Sequence, residues 1–168
     1  MIVSKETQNA VMELIGECFE MNRRLDRMVS VLGVKFAYNN TANLVHHGIA
    51  HYYPVLADKI GEKCLERYNI AVVYAPTPAG DKDYTTVQDI IQELENINIE
   101  FQTLMMGCCK VAFENNDIHV YADLLDMLED VNEIVEQAIL LSDKMKYYNG
   151  EISYDHNVHK FWILGGDN

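Results

Sequence analysis

Proline is scarce in this chain: three residues in 168, with only nine glycines. A turn-rich all-β domain needs more of both, so that class is set aside. Cysteine is scarce too. Cys18, Cys64, Cys108 and Cys109 form no C-x-x-C pair, and the adjacent two cannot readily bond to each other. The sequence therefore offers neither a thiol redox motif nor a disulfide framework, and reduced, buried thiols are expected. No apolar run reaches the ~20 residues of a membrane-spanning helix. The first residues, Met1-Ile2-Val3-Ser4-Lys5-Glu6, lack the apolar core of an export signal. These absences predict a cytoplasmic protein. Positive charge is also short: 13 Lys plus Arg against 26 Asp plus Glu leave a net charge of −13. A surface of that sign repels nucleic acid and anionic lipid and favours cations or basic partners, so neither nucleic acid nor membrane is expected as a partner. No Gly-rich phosphate loop, nucleophile elbow or paired-carboxylate glycosidase pattern occurs.

What the chain has in quantity is apolar side chains, 49% of the total, at helical spacing. The spacing predicts a helix over 7–32, carried by Val11, Leu14, Ile15, Cys18, Leu25, Val29 and Leu32 and closed by Gly33. A second helix is predicted over 41–68, with Leu44, Val45, Ile49, Tyr52, Val55, Leu56 and Ile60 on one side. Pro54 should kink it. Gly48 and Gly61 remove bulk and open room for another helix. The segment 69–83, with Ala75-Pro76-Thr77-Pro78-Ala79-Gly80, is too long for a tight link. A third helix starts near Thr85 or Thr86 and runs to Glu114. Its stripe is Val87, Ile90, Ile91, Leu94, Ile97, Phe101, Leu104, Met105, Cys108 and Ala112. After the Asn115-Asn116-Asp117 turn, a fourth spans 118–147, with Leu124, Leu125, Leu128, Val131, Val135, Ala138 and Met145 inward. The prediction is thus an all-α four-helix bundle over 1–148. A tail, 149–168, carries Phe161, Trp162, Ile163 and Leu164 and is expected to dock on the bundle or on a neighbouring subunit. Two short links flanking one long link make the outer pairs antiparallel and the middle pair parallel, the one-crossover connectivity of ferritin-like bundles.

One polar motif stands out. His47-x3-His51-x10-Glu62-x3-Glu66 lies on the second helix. Each pair is one turn apart, and the three turns from His51 to Glu62 return to nearly the same face. The stripe has imidazoles near one end and carboxylates near the other, roughly 16 Å apart along the axis. One helix cannot close a metal site with both. A second copy packed antiparallel about a two-fold axis brings the histidines of one chain to the glutamates of the other. A His/carboxylate set suits iron, manganese or zinc. The plain alternative is a polar stripe on a surface or dimer seam.

The pattern resembles the ferritin-like superfamily and, within it, the Dps-type mini-ferritins, over about 40–147. Members of that family carry His-x3-Asp-x10-Asp-x3-Glu-Arg on the second helix. This chain reads His47-x3-His51-x10-Glu62-x3-Glu66-Arg67. The resemblance implies an intersubunit iron site made by His47, His51, Glu62 and Glu66, and oxidation of Fe(II) by oxygen or peroxide. It also implies a homo-oligomer, at least a dimer and, with the family's cage retained, a dodecamer. The chain departs from the family at Lys35-Phe36, which stands where the family has a metal-binding histidine, and in its lack of a lysine-rich terminus. Two further readings stand beside this one. A di-metal centre inside one subunit would draw on Glu13, Glu17 and Glu20 with Glu129, Glu133 and Glu136, but no Glu-x-x-His supports it. A bundle without metal chemistry would serve as an oligomeric scaffold or binding module; Lys35 and the aromatic tail favour it. The remaining histidines are read blandly: His46 and His119 as surface or capping residues, and the His156-x2-His159 pair as a weak metal signal. Asn22, Asn98 and Asn132 are read as a buried amide network.

Overall fold

The computed structural model describes residues 2–165, and among them there is no strand. Helix α1 (Lys5–Val34) opens with Ser4, whose hydroxyl accepts from the Thr7 amide at 3.3 Å. The second predicted helix forms in pieces. These are α2 (Asn39–Val45), a π-helical turn over His46–Ala50, α3 (Tyr52–Cys64) and a 3-10 turn over Glu66–Tyr68. Helix α4 (Val87–Glu114) is capped by Thr86, which accepts from the Asp89 amide at 3.1 Å. Helix α5 spans Ile118–Tyr148, and a short α6 covers Ser153–Asn157. Asn116 and Asn149 take the left-handed conformation at the ends of α4 and α5, where an asparagine side chain is tolerated.

Pairings along the helices fix their directions. Arg24 on α1 meets Glu93 near the start of α4 at 3.2 Å, whereas Ser4, before α1, bonds Asp117, beyond the end of α4. These two helices are therefore antiparallel. Tyr53 on α3 bonds Asn98 in the middle of α4, and Arg67, just past α3, reaches Asp123 early on α5 at 3.4 Å. Helices α3 and α4 accordingly run parallel, joined by a crossover that lies along α1. Its chain passes so close at Gly80 that a Cβ there would stand 2.7 Å from the Arg23 carbonyl oxygen. Arg27 donates to the Lys82 carbonyl at 2.9 Å, and Lys35 Nζ donates to the Tyr84 carbonyl. Helix α1 packs on α3 and α4, and α5 packs on α4 and α3.

The core is apolar nearly throughout, with Leu14, Ile15, Leu25, Met28, Leu56, Ile60, Ile90 and Leu94 buried to 1% exposure or less. Three predicted core positions turn outward: Val55, Leu104 and Leu125 are exposed. Met127, two residues from Leu125, is buried instead. Upstream of Pro54 the helix leaves regular α geometry. Pro54 has no N–H for the Ala50 carbonyl four residues back, and the chain accommodates it with a π turn in which the His51 amide bonds the His46 carbonyl at 3.1 Å.

The described part of the tail folds back on its own bundle. The buried Asp155 accepts from the Thr41 amide and hydroxyl, both at 2.7 Å, and so caps the first turn of α2. Tyr38 donates to the carbonyls of Gly150 and Glu151. The Gln137 amide on α5 clamps the tail from both sides, donating to the Phe161 carbonyl and accepting from the Ile163 amide. Trp162 lies over Gly48, where a Cβ would come within 2.5 Å of its Cζ2. The room left by Gly48 is thus taken by an indole, and that left by Gly61 by Val72 of the crossover, rather than by a further helix.

Candidate metal centre

Three imidazoles converge on the π turn. Possible ligand atoms of His46, His47 and His51 all lie within 4.8 Å of one another, the only such group of three among the described residues. The ring centroids of His46 and His51 are 4.0 Å apart, those of His46 and His47 4.8 Å, and those of His47 and His51 5.5 Å. The local backbone explains the meeting. In a regular α-helix residues three and four apart share a face, so His47 and His51 pair and His46 falls to one side. The i→i+5 bonding of a π turn places residues five apart over one another and keeps those four apart close, so His46 joins the other two.

Behind the cluster stands α1. Asp26 Oδ1 lies 3.6 Å from His46 Nδ1, slightly long for a hydrogen bond. Both atoms are shielded from solvent and neither has a hydrogen-bond partner. The sequence reading set His46 aside as a surface or capping residue and did not consider Asp26. The signal it held was the His46-His47 doublet upstream of Pro54, which reads as a cluster only when the proline is taken to impose a π turn.

The four residues singled out from the sequence occupy one exposed stripe. His47, His51, Glu62 and Glu66 are all exposed, as are Val55, Asp58 and Lys59 between them. Within one chain the histidines sit together at the π turn, and the two glutamates lie at and beyond the far end of α3. Lys35 is not at the histidine cluster: it follows the end of α1, holds the crossover through Tyr84, and places its ammonium 5.3 Å from the centre of the Phe36 ring.

A di-metal centre in the bundle interior does not fit the residues found there. Such centres need carboxylates from several helices pointing inward. Among the described residues, the only buried carboxylates are Asp117 and Asp155, both outside the four long helices. Glu13, Glu129, Glu133 and Glu136 are exposed. Glu17 is half-buried, and burial and the nearby Glu20 push its carboxyl above its ordinary value. The mid-bundle space holds Cys18, Tyr53, Asn98 and Phe101 instead. Tyr53 donates to the Asn98 side-chain oxygen, and the Asn98 amide donates to the Leu94 carbonyl at 2.7 Å. That pair satisfies its own polar groups and leaves no ligand over. Asn22 donates to the Ala50 carbonyl and the exposed Asn132 accepts from Gln102, so the three asparagines serve separate places and form no single network. Among the described residues His156 and His159 gather no third ligand, while the His119 ring centroid lies 4.7 Å from that of Tyr68.

No protein-family model matches the sequence, and no curated protein matches it significantly. Solved structures do match in shape. A humanized archaeal ferritin superposes with a TM-score of 0.86 at 10% identity, covering 94% of this chain and 97% of its own. An open-pore ferritin from the hyperthermophilic archaeon Archaeoglobus fulgidus gives a TM-score of 0.85 at 11% identity, covering 94% of each chain. Identities this low speak for the fold alone. The chain has the ferritin-like four-helix fold, with the long crossover between its second and third long helices and a tail closed over the second.

Proposed function

We propose that the protein is a ferritin-like subunit that self-associates and binds a divalent metal, iron in the first place and manganese or zinc otherwise, between two copies of the chain. The observation that carries this reading is the symmetry of the exposed stripe. His47 pairs with Glu66, His51 with Glu62 and Val55 with Asp58 about a common midpoint on α3. Two copies packed antiparallel about that point bring imidazoles to carboxylates twice. Such an interface is self-complementary, as a two-fold requires. His47 and His51 supply neutral nitrogen, and Glu62 and Glu66 of the partner subunit supply charge. Iron bound there is substrate or cargo, and its chemistry is oxidation of Fe(II) to Fe(III) by oxygen or peroxide. The solved ferritins of the same shape agree with an iron-linked, oligomeric role. The acidic surface, net −13, concentrates cations and disfavours DNA.

Metal analysis and light scattering test the reading together. His47→Ala/His51→Ala should abolish stoichiometric Fe(II) binding and leave helicity unchanged. Glu62→Gln/Glu66→Gln should weaken Fe(II) binding in proportion to the loss of dimer. A protein that stays monomeric at micromolar concentration, or that binds Fe(II) equally well in both double variants, overturns it.

A second reading has its own support. The Tyr53–Asn98 bond seals the place where a metal centre inside a bundle would sit, and Lys35 is committed to the crossover. A scaffold or binding module without metal chemistry fits these two facts. Fe(II) and Zn(II) failing to bind the intact oligomer would favour it.

A further inference from the structure

We infer that His46, His47 and His51 form a mononuclear site for a borderline transition-metal ion such as Zn(II) or Co(II), complete within one chain, with Asp26 as the positioning residue for His46. It shares His47 and His51 with the interfacial site proposed above but does not rest on that reading, because it needs no second copy.

Three observations on different elements lead to it. The first is the convergence itself. A tetrahedral ion held at ~2.0–2.1 Å from each nitrogen sets the nitrogens ~3.3 Å apart. Possible ligand atoms of the three imidazoles lie within 4.8 Å of one another, so binding must draw them together by up to ~1.5 Å. Three neutral imidazoles with a fourth position open to water suit zinc and its spectroscopic stand-in cobalt, and suit manganese poorly.

The second is the orphaned pair on α1. His46 Nδ1 and Asp26 Oδ1 face each other at 3.6 Å, sheltered and without other partners. Ligating histidines commonly give their second ring N–H to a carboxylate, which fixes the tautomer and raises the basicity of the other nitrogen. Closing the 3.6 Å gap would give Asp26 the Nδ1–H and leave Nε2 of His46 as the nitrogen free to bind.

The third is the backbone. The π turn is what draws His46 to the other two, and π turns inserted in helices gather at functional sites. This one is held from two further directions. Asn22 on α1 donates to the Ala50 carbonyl at 3.0 Å, and the indole of Trp162 sits on Gly48. The cluster therefore rests on a braced backbone rather than on a free helix end.

The chain's single tryptophan is thus one residue away from a ligand, which supplies a built-in probe. The full-length protein is titrated with Co(II) and with Zn(II), reading the visible Co(II) spectrum and Trp162 fluorescence. One Co(II) per chain should give tetrahedral bands that Zn(II) displaces, with quenching of Trp162. Glu62→Gln/Glu66→Gln should keep both signals. His46→Ala should lower Co(II) affinity at least a hundredfold. His46→Gln serves in its place if the alanine variant melts early. Asp26→Asn should weaken Co(II) affinity 10–100-fold and change the Co(II) spectrum, while the melting temperature stays near that of the parent.

Tetrahedral binding that survives His46→Ala and His46→Gln but is lost in Glu62→Gln/Glu66→Gln overturns the single-chain site and leaves the interfacial one standing. Retention in the glutamate variant with loss in the His46 variants upholds the single-chain site. A parent protein that gives no tetrahedral Co(II) bands overturns this inference alone, since Fe(II) binding and molecular mass decide the other.

Discussion

The side-chain amide of Asn22 donates to the main-chain carbonyl of Ala50 at 3.0 Å. In an unbroken helix that carbonyl would accept from residue 54, which here is Pro54. A polar side chain on α1 therefore supplies the hydrogen bond that proline withholds from the neighbouring helix, and the π turn bearing three histidines is stable because of it. Replacing Asn22 by Leu leaves the carbonyl sheltered and unpartnered, which costs ~1–3 kcal/mol. Pro54→Ala restores the missing donor. In urea melts the double variant Asn22→Leu/Pro54→Ala should lose less stability than the two single changes summed; strict additivity would sever the link.

Gly48→Ala tests the seat of the tail. The new Cβ would stand 2.5 Å from Trp162 Cζ2, so the indole must move. The expected loss is ~1–3 kcal/mol, the usual cost of overpacking, with a red shift of tryptophan emission as the ring meets water. Unchanged emission would mean that the indole does not rest on Gly48 in solution.

Asp117 gives the molecule part of its acid sensitivity. Partial burial raises its carboxyl, but hydrogen bonds from Ser4 and Thr7 outweigh that and hold it below its ordinary value of 3.8. A carboxyl lowered by folding stabilises fully above pH 3.8, and that share is lost as pH falls through the folded value. Glu93 acts with the same sign: burial raises it, and Lys82, Tyr84 and Arg24 bring it below 4.5. Asp117→Asn should cost ~1–2 kcal/mol at neutral pH and flatten the acid limb of a melting-temperature profile. A limb as steep as the parent's would assign the acid loss elsewhere.

The four cysteines are free and buried. Burial pushes Cys64 and Cys108 up to about 12, and Cys18 and Cys109 also rise. Thiolate, the reactive form, is therefore scarce at neutral pH. A thiol reagent should label none of the four in the native protein and all four in denaturant. Rapid labelling of Cys109 in the native state would show local opening of α4.

Much of this architecture could be read before any coordinates, because long helices write their inward faces at 3.6-residue intervals. The four long segments and the crossover follow from that period and from Pro76-Thr77-Pro78. Misreadings arose where one residue depends on a distant one. Leu104 and Leu125 have the right spacing, yet lie at the margin of their stripes and face outward. The place of His46 depends on a π turn, and α-helical periodicity cannot register a change of period lasting one turn. Asp26 belongs to the cluster only through packing of α1 on the π turn, which no local pattern records. Gly48 and Gly61 signalled close approach correctly, but a missing side chain does not name its visitor.

The Asp155 carboxylate that caps α2 carries a consequence for the order in which the protein is made. Thr41 and Asp155 are 114 positions apart. A growing chain therefore completes the helix bearing the histidines long before it possesses the group that finishes that helix's first turn. Until then the amides of Asn40 and Thr41 have only water to bond. The segment with the candidate chemistry is synthesised well before it is secured, so a chain halted just short of residue 155 carries a histidine turn that lacks both its distant cap and its covering indole.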